Sequence, residues 1–308
     1  MNLHQLEYFI RVAELGSFSK AAVVLDVAQP ALSRQVRLLE ADLRTTLLLR
    51  NGRGVTLTEM GRLLYERAAD ILQAVSNMGE EIAAQRDEPV GQVVIGLPPS
   101  LGRMLAVPLV EAFQRELPKA RLSIVEGLTT HLVEWLASAR VDLALLHSPE
   151  ANPAIDIAPV MRERLGLVAP IDYRSPAGAE IPLSQLVELP LVLPERAHVL
   201  RRLLETRLAQ AGLKPEVRLE VSSVPSILSL VSAGYGYAVL TRSALAANGQ
   251  QHAFSFHPLS EHDLCSTLCL AVPSRKHPTP LLRRSREVLA GLMSELREKL
   301  GGEAELSR

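Results

Sequence analysis

The sequence predicts an α/β C-terminal domain of two Rossmann-like lobes, preceded by an all-α winged helix-turn-helix and a long linker helix. Three observations predict it. Residues 1–58 carry short helical patterns and one small hairpin. A helical run without a breaker then extends from Thr58 to about Asp87 and meets Pro89. Beyond Pro89-Val90-Gly91, strand-like and helix-like segments alternate almost to the C-terminus.

The first helix carries Leu3, Leu6, Phe9, Ile10 and Ala13 at spacings of three and four, and Gly16 stops it. Ser17 stands as N-cap of a second short helix, residues 18–25. Asp26-Val27-Ala28-Gln29 is the turn, and Pro30 takes a first-turn position where a missing N–H costs nothing. The third helix sets Leu32, Val36, Leu39 and Leu43 on one stripe, with Ser33, Arg34 and Arg37 on the opposite face. Leu47–Arg50 and Val55–Leu57 read as a hairpin around Asn51-Gly52-Arg53-Gly54. In the linker helix, Leu64, Ala68, Ile71, Val75, Met78 and Ile82 follow spacings of 4, 3, 4, 3 and 4, a heptad seam. A helix of about 30 residues is about 45 Å long. That exceeds what a domain ending at residue 58 can cover, so the seam is expected to pair two copies of the chain.

Further strands are expected at 93–97, 121–126, 142–146, 164–169, 191–194, 216–221, 235–240 and 265–272. Helices are expected at 101–116, 130–139, 198–211, 224–233 and 280–300. Such alternation implies parallel sheets with ligand crevices at the strand ends.

A chain of 308 residues with 47% hydrophobic and 22% charged residues has room for two or three globular domains. Its net charge of −1 excludes a global basic field, so any nucleic-acid site must be local. Such a surplus exists: between Ala28 and Thr58, five arginines (34, 37, 44, 50 and 53) stand against Glu40 and Asp42. No apolar run reaches the roughly 18–20 residues of a membrane span, and Met1–Glu7 lack the features of a signal peptide. Two cysteines suit a reducing compartment. The expected location is therefore cytoplasmic.

Enzymatic motifs are absent: there is no Gly-x-Ser-x-Gly, P-loop, His-Glu-x-x-His or metal-ligand spacing. Gly234-Tyr235-Gly236 lacks the third glycine of a dinucleotide fingerprint. Cys265 and Cys269 lie four residues apart on one strand, about 13 Å, beyond the roughly 7 Å a disulfide allows. Neither an enzyme nor a cofactor nor a metal is expected. A helix, turn, helix and basic hairpin instead suit a duplex-reading module, whose recognition helix enters the major groove. Gln29 can read adenine edges, Arg34 guanine, and Ser33 a base or a phosphate.

Leu6-Glu7-Tyr8-Phe9, Gly16–Ala22 and Ala28-Gln29-Pro30-Ala31-Leu32-Ser33-Arg34 through Glu40 resemble the signature of LysR-type transcriptional regulators. Leu47–Arg50 and Gly54-Val55-Thr56-Leu57-Thr58-Glu59-Met60-Gly61 continue the match. Leu48 stands where the family usually has Phe, and Arg44 where it usually has Gly. The resemblance implies that Gln29, Pro30, Ser33 and Arg34 meet the major groove, with Arg37 on the same basic helix. Arg50 and Arg53 would occupy the wing, and Ser17, Ser19 and Lys20 would face the DNA backbone. It also implies a periplasmic-binding-protein-like effector domain, with lobe I at 90–161 and 267–300 and lobe II at 162–266. Dimers would assemble into tetramers on promoter DNA, where RNA polymerase is the further partner.

In that domain, Ser100 and Thr129 follow strand ends and open helices, where a hydroxyl and free N–H groups can meet an anion. Ordinary N-capping serves these residues equally well. His147 and His198 are expected at the same crevice, so a small anionic effector is the expected ligand. The strand–helix half alone would also permit a solute-binding or ligand-sensing protein without sequence-specific DNA binding.

Overall fold

Asn2 opens α1 (Leu3–Leu15) through a capping box with Gln5, and Gly16 ends it in the left-handed conformation. The Ser17 hydroxyl accepts from the Lys20 N–H to start α2 (Phe18–Val24), and Pro30 lies in the first turn of α3 (Gln29–Leu43). Strands β1 (Leu48–Asn51) and β2 (Gly54–Leu57) pair antiparallel, with Leu48 opposite Leu57. Helix α4 (Glu59–Ala84) follows. These elements belong to one compact unit, Met1–Asp87; a second comprises Glu88–Arg308. The computed structural model describes residues 1–51, 54–84, 89–175, 178, 180–249, 251–274 and 279–300.

The core of the first unit gathers Phe9, Leu32, Val36, Leu39, Leu47 and Leu48. Leu48 thus fills a core position as an aliphatic residue. The start of α4 packs on the same core: Ala68 is fully buried there, and Leu64, Tyr65 and Leu72 lie against it. Contrary to the expected seam, Ala68 is spent within its own unit, and part of Leu64 packs there as well. Among the described residues of the helix, Met60, Leu63, Ile71 and Val75 are the large apolar side chains left exposed. The side chains of Met78 and Ile82 lie outside the described residues. Gly61 permits the close approach of α4 to the wing, since a Cβ there would stand 2.1 Å from the Leu47 carbonyl oxygen.

In the second unit, lobe I opens with β3 (Gly91–Leu97), α5 (Pro99–Glu116), β4 (Ala120–Glu126), α6 (Thr129–Ala137), β5 (Leu143–His147) and β6 (Ile155–Arg164). Lobe II follows as β7 (Gly166–Pro170), α7 (Leu183–Leu186), β8 (Leu191–Leu193), α8 (Val199–Gln210) and β9 (Val217–Glu220). It continues with α9 (Val224–Ser232), β10 (Ala238–Leu240), α10 (Arg242–Ala246) and β11 (Phe254–Pro258). The chain returns to lobe I through β12 (Cys265–Pro273) and α11 (Pro280–Lys299).

The lobe I sheet runs β4-β3-β5-β12-β6. Only β3, β4 and β5 are parallel, and β12 is antiparallel to both its neighbours. Lobe II has an antiparallel β10-β7-β11 sheet and a parallel β8–β9 pair, so the expectation of parallel sheets holds for only part of each lobe. The expected strand at 164–169 is in fact the end of β6, a link at Leu165, and β7. Because β6 and β12 pair along their whole lengths, the lobes part at Leu165 and Leu264 rather than near 162 and 267. Strand β6 escaped sequence reading because Pro159 interrupts it. An edge position tolerates that proline, and the register shifts beside it, between Leu268 and Cys269.

Candidate nucleic-acid interface and ligand cleft

Helices α2 and α3 meet through Asp26, which adopts φ +52°. Gln29, Pro30, Arg34 and Arg37 are exposed on α3, as are Ser19 and Lys20 on α2. Ser33 is not: it is 6% exposed and packs on the core side of the helix with Leu32 and Val36. Its expected groove-facing role is corrected accordingly. The outer face of α3 instead includes Ala31, Leu38 and Ala41, which sequence reading passed over. Among the described residues, Arg34, Arg37 and Arg44 form no ion pair, so three guanidinium groups stand without a partner anion.

Glu40 does more than offset these charges. Its Oε1 accepts from the Leu47 and Leu48 N–H groups at 2.8 and 3.2 Å, tying the end of α3 to the first wing strand. A carboxylate placed seven residues before an apolar strand is a signal too weak to read beforehand. The Val55 N–H donates to the Gly16 carbonyl at 2.9 Å, fixing the second wing strand beside the start of α2. Ser17 and Lys20 share a groove there with Gly54, Val55 and Thr56. Arg44 ends α3 with φ +51° and ψ +36°, a backbone that usually calls for glycine. The Arg50 side chain and Arg53 lie outside the described residues.

A cleft of about 420 Å³ opens between the lobes of the second unit. It gathers Ser100, Thr129, His147 and His198, the four residues singled out from the sequence. Four helices begin at its wall: α5 with Ser100 in its first turn, α6 at Thr129, α8 after its cap His198 and α9 after Ser223. In α5, α6 and α9 no side chain caps the first turn, which leaves N–H groups for a ligand. The ordinary N-cap role of Ser100 and Thr129 is thereby set aside. Val224, Leu228, Ala244 and Ala247 supply an apolar wall.

The hydroxyls differ in their freedom. Ser100 Oγ has no hydrogen-bond partner among the described residues. Thr129 Oγ1 is engaged on the backbone of His147, donating to its carbonyl at 3.3 Å and accepting from its N–H at 3.2 Å. Thr129 therefore positions the end of β5, which the sequence did not indicate. His147 Nδ1 lies 3.1 Å from Ser266 Oγ, and His198 Nδ1 accepts from the Leu200 N–H at 3.3 Å. The second bond leaves the His198 proton on Nε2.

Both rings are neutral near pH 7. Burial lowers the His147 pKa to about 4, assisted by His198. Burial lowers that of His198 to about 4 as well, assisted by the Arg202 charge. The formal charges at the wall are then Arg103 and Arg202 against Glu126. The Glu126 carboxylate lies over Gly102, where a Cβ would come within 2.3 Å of its Oε1. That carboxylate offsets part of the positive end of α5. The starts of α6 and α9 keep theirs, and they face the cleft beside its apolar wall.

Cys265 is half-buried, Cys269 is buried, and both are free thiols. Burial raises both pKa values, in Cys265 against the opposing pull of Arg162, so neither is poised as a thiolate. No group of three or more metal-ligating side chains occurs among the described residues. Nor is any described helix long and apolar enough to cross a membrane.

Comparison with known proteins matches these two regions separately. Residues 3–62 match the bacterial regulatory helix-turn-helix protein family of lysR type, and residues 86–294 match the LysR substrate binding domain. The nitrogen assimilation regulatory protein nac of Klebsiella aerogenes is 32% identical over 307 residues, covering 96% of each chain. A hydrogen peroxide-inducible genes activator of Haemophilus influenzae is 27% identical, covering 98% of this chain and 99% of that one. Among solved structures, a full-length OxyR variant from Pseudomonas aeruginosa superposes with a TM-score of 0.77 at 24% identity, covering 100% and 99% of the two chains. Full-length CbnR complexed with its target DNA gives 0.68 at 26% identity, covering 94% and 98%. With a helix-turn-helix unit and a two-lobed ligand cleft each matched over its own length, the chain belongs to the LysR family of transcriptional regulators, a family of DNA-binding proteins and not of enzymes.

Proposed function

We propose that this regulator reads its operator with Gln29, Pro30 and Arg34 and responds to a small amphipathic anion held between its lobes. Arg37, Ser17, Ser19 and Lys20 contact phosphates beside the reading helix, and Arg50 and Arg53 do so from the wing. The exposed residues Ile71 and Val75, continued toward Met78 and Ile82, pair two copies along α4, and dimers assemble into tetramers. Anion binding changes the arrangement of the dimers on promoter DNA and so their contact with RNA polymerase, in the cytoplasm. One observation carries the ligand reading: four helix starts and two arginines meet at one cleft beside an apolar wall. The anion accepts from the free Ser100 hydroxyl and from the Nε2–H of His198, with Thr129 and His147 shaping the site around it.

The DNA reading is tested by selecting preferred sites from random duplexes and comparing variants on selected and scrambled DNA. Arg34→Ala is expected to lose about 1–3 kcal/mol on the selected site and to relax one base position. Arg37→Ala is expected to weaken both DNAs alike and to flatten the salt dependence. Equal losses on both DNAs for Arg34→Ala would remove it from the reading set.

A further inference from the structure

Five buried polar side chains of the second unit form a line from one wall of the cleft to the other: His147, Ser266, Glu163, Ser243 and Thr241, none more than 8% exposed. His147 Nδ1 meets Ser266 Oγ at 3.1 Å. Ser266 on β12 stands opposite Glu163 on β6, at the ends of the two strands that join the lobes. Both carboxylate oxygens of Glu163 are used by a single residue: the Ser243 N–H donates to Oε1 at 2.9 Å and its hydroxyl to Oε2 at 2.7 Å. Ser243 Oγ in turn lies 3.1 Å from Thr241 Oγ1. Thr241 and Ala244 belong to the cleft wall.

Glu163 belongs to the lobe I sheet, whereas Ser243 sits in α10, directly after a strand of lobe II. Its sequence neighbours point elsewhere: Arg164 donates to Glu180 and to the Leu259 carbonyl, and Arg162 reaches Cys265. Among the described residues, no cation lies within ion-pair distance of Glu163. A buried carboxylate without a counter-ion is a poor source of stability, because desolvation opposes it. What two convergent donors do supply is geometry. Separating the lobes would strip the carboxylate of both donors, leaving it unpaired until water reached it.

We propose that Glu163 and Ser243 form an interlobe latch that ties the α10 wall of the cleft to the strands joining the lobes. Glu163 is then a positioning residue: it touches no ligand but sets where Thr241 and Ala244 stand. Burial raises its pKa, and the two Ser243 bonds oppose that rise. The consequence for ligand response rests on the cleft reading above, but the latch itself does not.

Hydrogen–deuterium exchange on the full chain tests the latch without any ligand. In Glu163→Ala, amides of α10 and of the paired ends of β6 and β12 are expected to exchange at least about ten-fold faster, while β3 and α9 keep their rates. Glu163→Gln should restore near wild-type exchange, since its amide can accept from the Ser243 N–H and donate to the hydroxyl. Ser285→Ala, which empties an equally buried polar site within lobe I, should leave α10 unchanged. Unchanged α10 exchange in Glu163→Ala, or uniform acceleration across both lobes, would overturn the proposal. If Glu163→Ala does not fold, Ser243→Ala is decisive: faster exchange confined to α10 supports the latch, and wild-type exchange refutes it. A Ser100→Ala variant that kept every regulatory response would refute the cleft reading and leave these outcomes standing.

Discussion

Acidification should destabilise lobe I through His147, and the size of the effect follows from its surroundings. The imidazole is 8% exposed, and burial with the neighbouring His198 lowers its pKa from 6.5 to about 4. Above pH 6.5 neither the folded nor the unfolded chain binds this proton. Between 6.5 and 4 only the unfolded chain does, so stability falls as the pH falls. Below 4 both forms bind it and the slope ends. At 1.36 kcal/mol per pH unit, the whole passage removes about 3 kcal/mol. His198, whose pKa is also lowered to about 4, contributes in the same direction and is common to both proteins. His147→Asn keeps a partner for Ser266 and cannot titrate. Trp135, the one tryptophan of the chain, lies in α6 of the same lobe and reports its unfolding in urea. Carboxylates common to both proteins cancel in the difference. The wild type should lose about 3 kcal/mol more than His147→Asn between pH 6.5 and 4. Parallel stability profiles would refute the assignment of a buried, neutral ring.

Three further outcomes are expected. Arg44→Gly should raise the thermal stability of the helix-turn-helix unit by about 1 kcal/mol, because glycine adopts the left-handed backbone without a Cβ penalty; Arg44→Ala should bring no such gain. Gly61→Ala should destabilise that unit by about 1–3 kcal/mol in the same melts, as α4 is pushed off the Leu47 carbonyl. Val75→Asp should dissociate the dimer in light scattering, because a carboxylate in an apolar seam loses water without gaining a partner; an unchanged mass would assign Val75 to another surface.

Much of the first unit was legible in sequence because its determinants are local. Gly16, Ser17 and Pro30 punctuate the helices, and apolar spacing picks out Leu32, Val36 and Leu39 as core. Spacing alone misjudged the margins of that stripe. Ser33 borders it and is drawn inward, and Ala68 sits on a heptad position yet packs on its own unit. In both cases the neighbouring elements decide how wide the buried face is. The helix starts at Ser100, Thr129 and His198 were likewise readable one by one, and the family resemblance suggested where they meet. Which hydroxyl stays free was not readable, because it depends on the His147 backbone arriving beside Thr129. Glu163 shows the limit most clearly. Between Arg162 and Arg164 it lies outside every strand expected from the sequence, and only the return of β12, about a hundred residues later, buries it opposite Ser266. Periodicity and caps act over a few residues and are written in the chain, whereas the burial of a polar group depends on which distant strand comes to cover it.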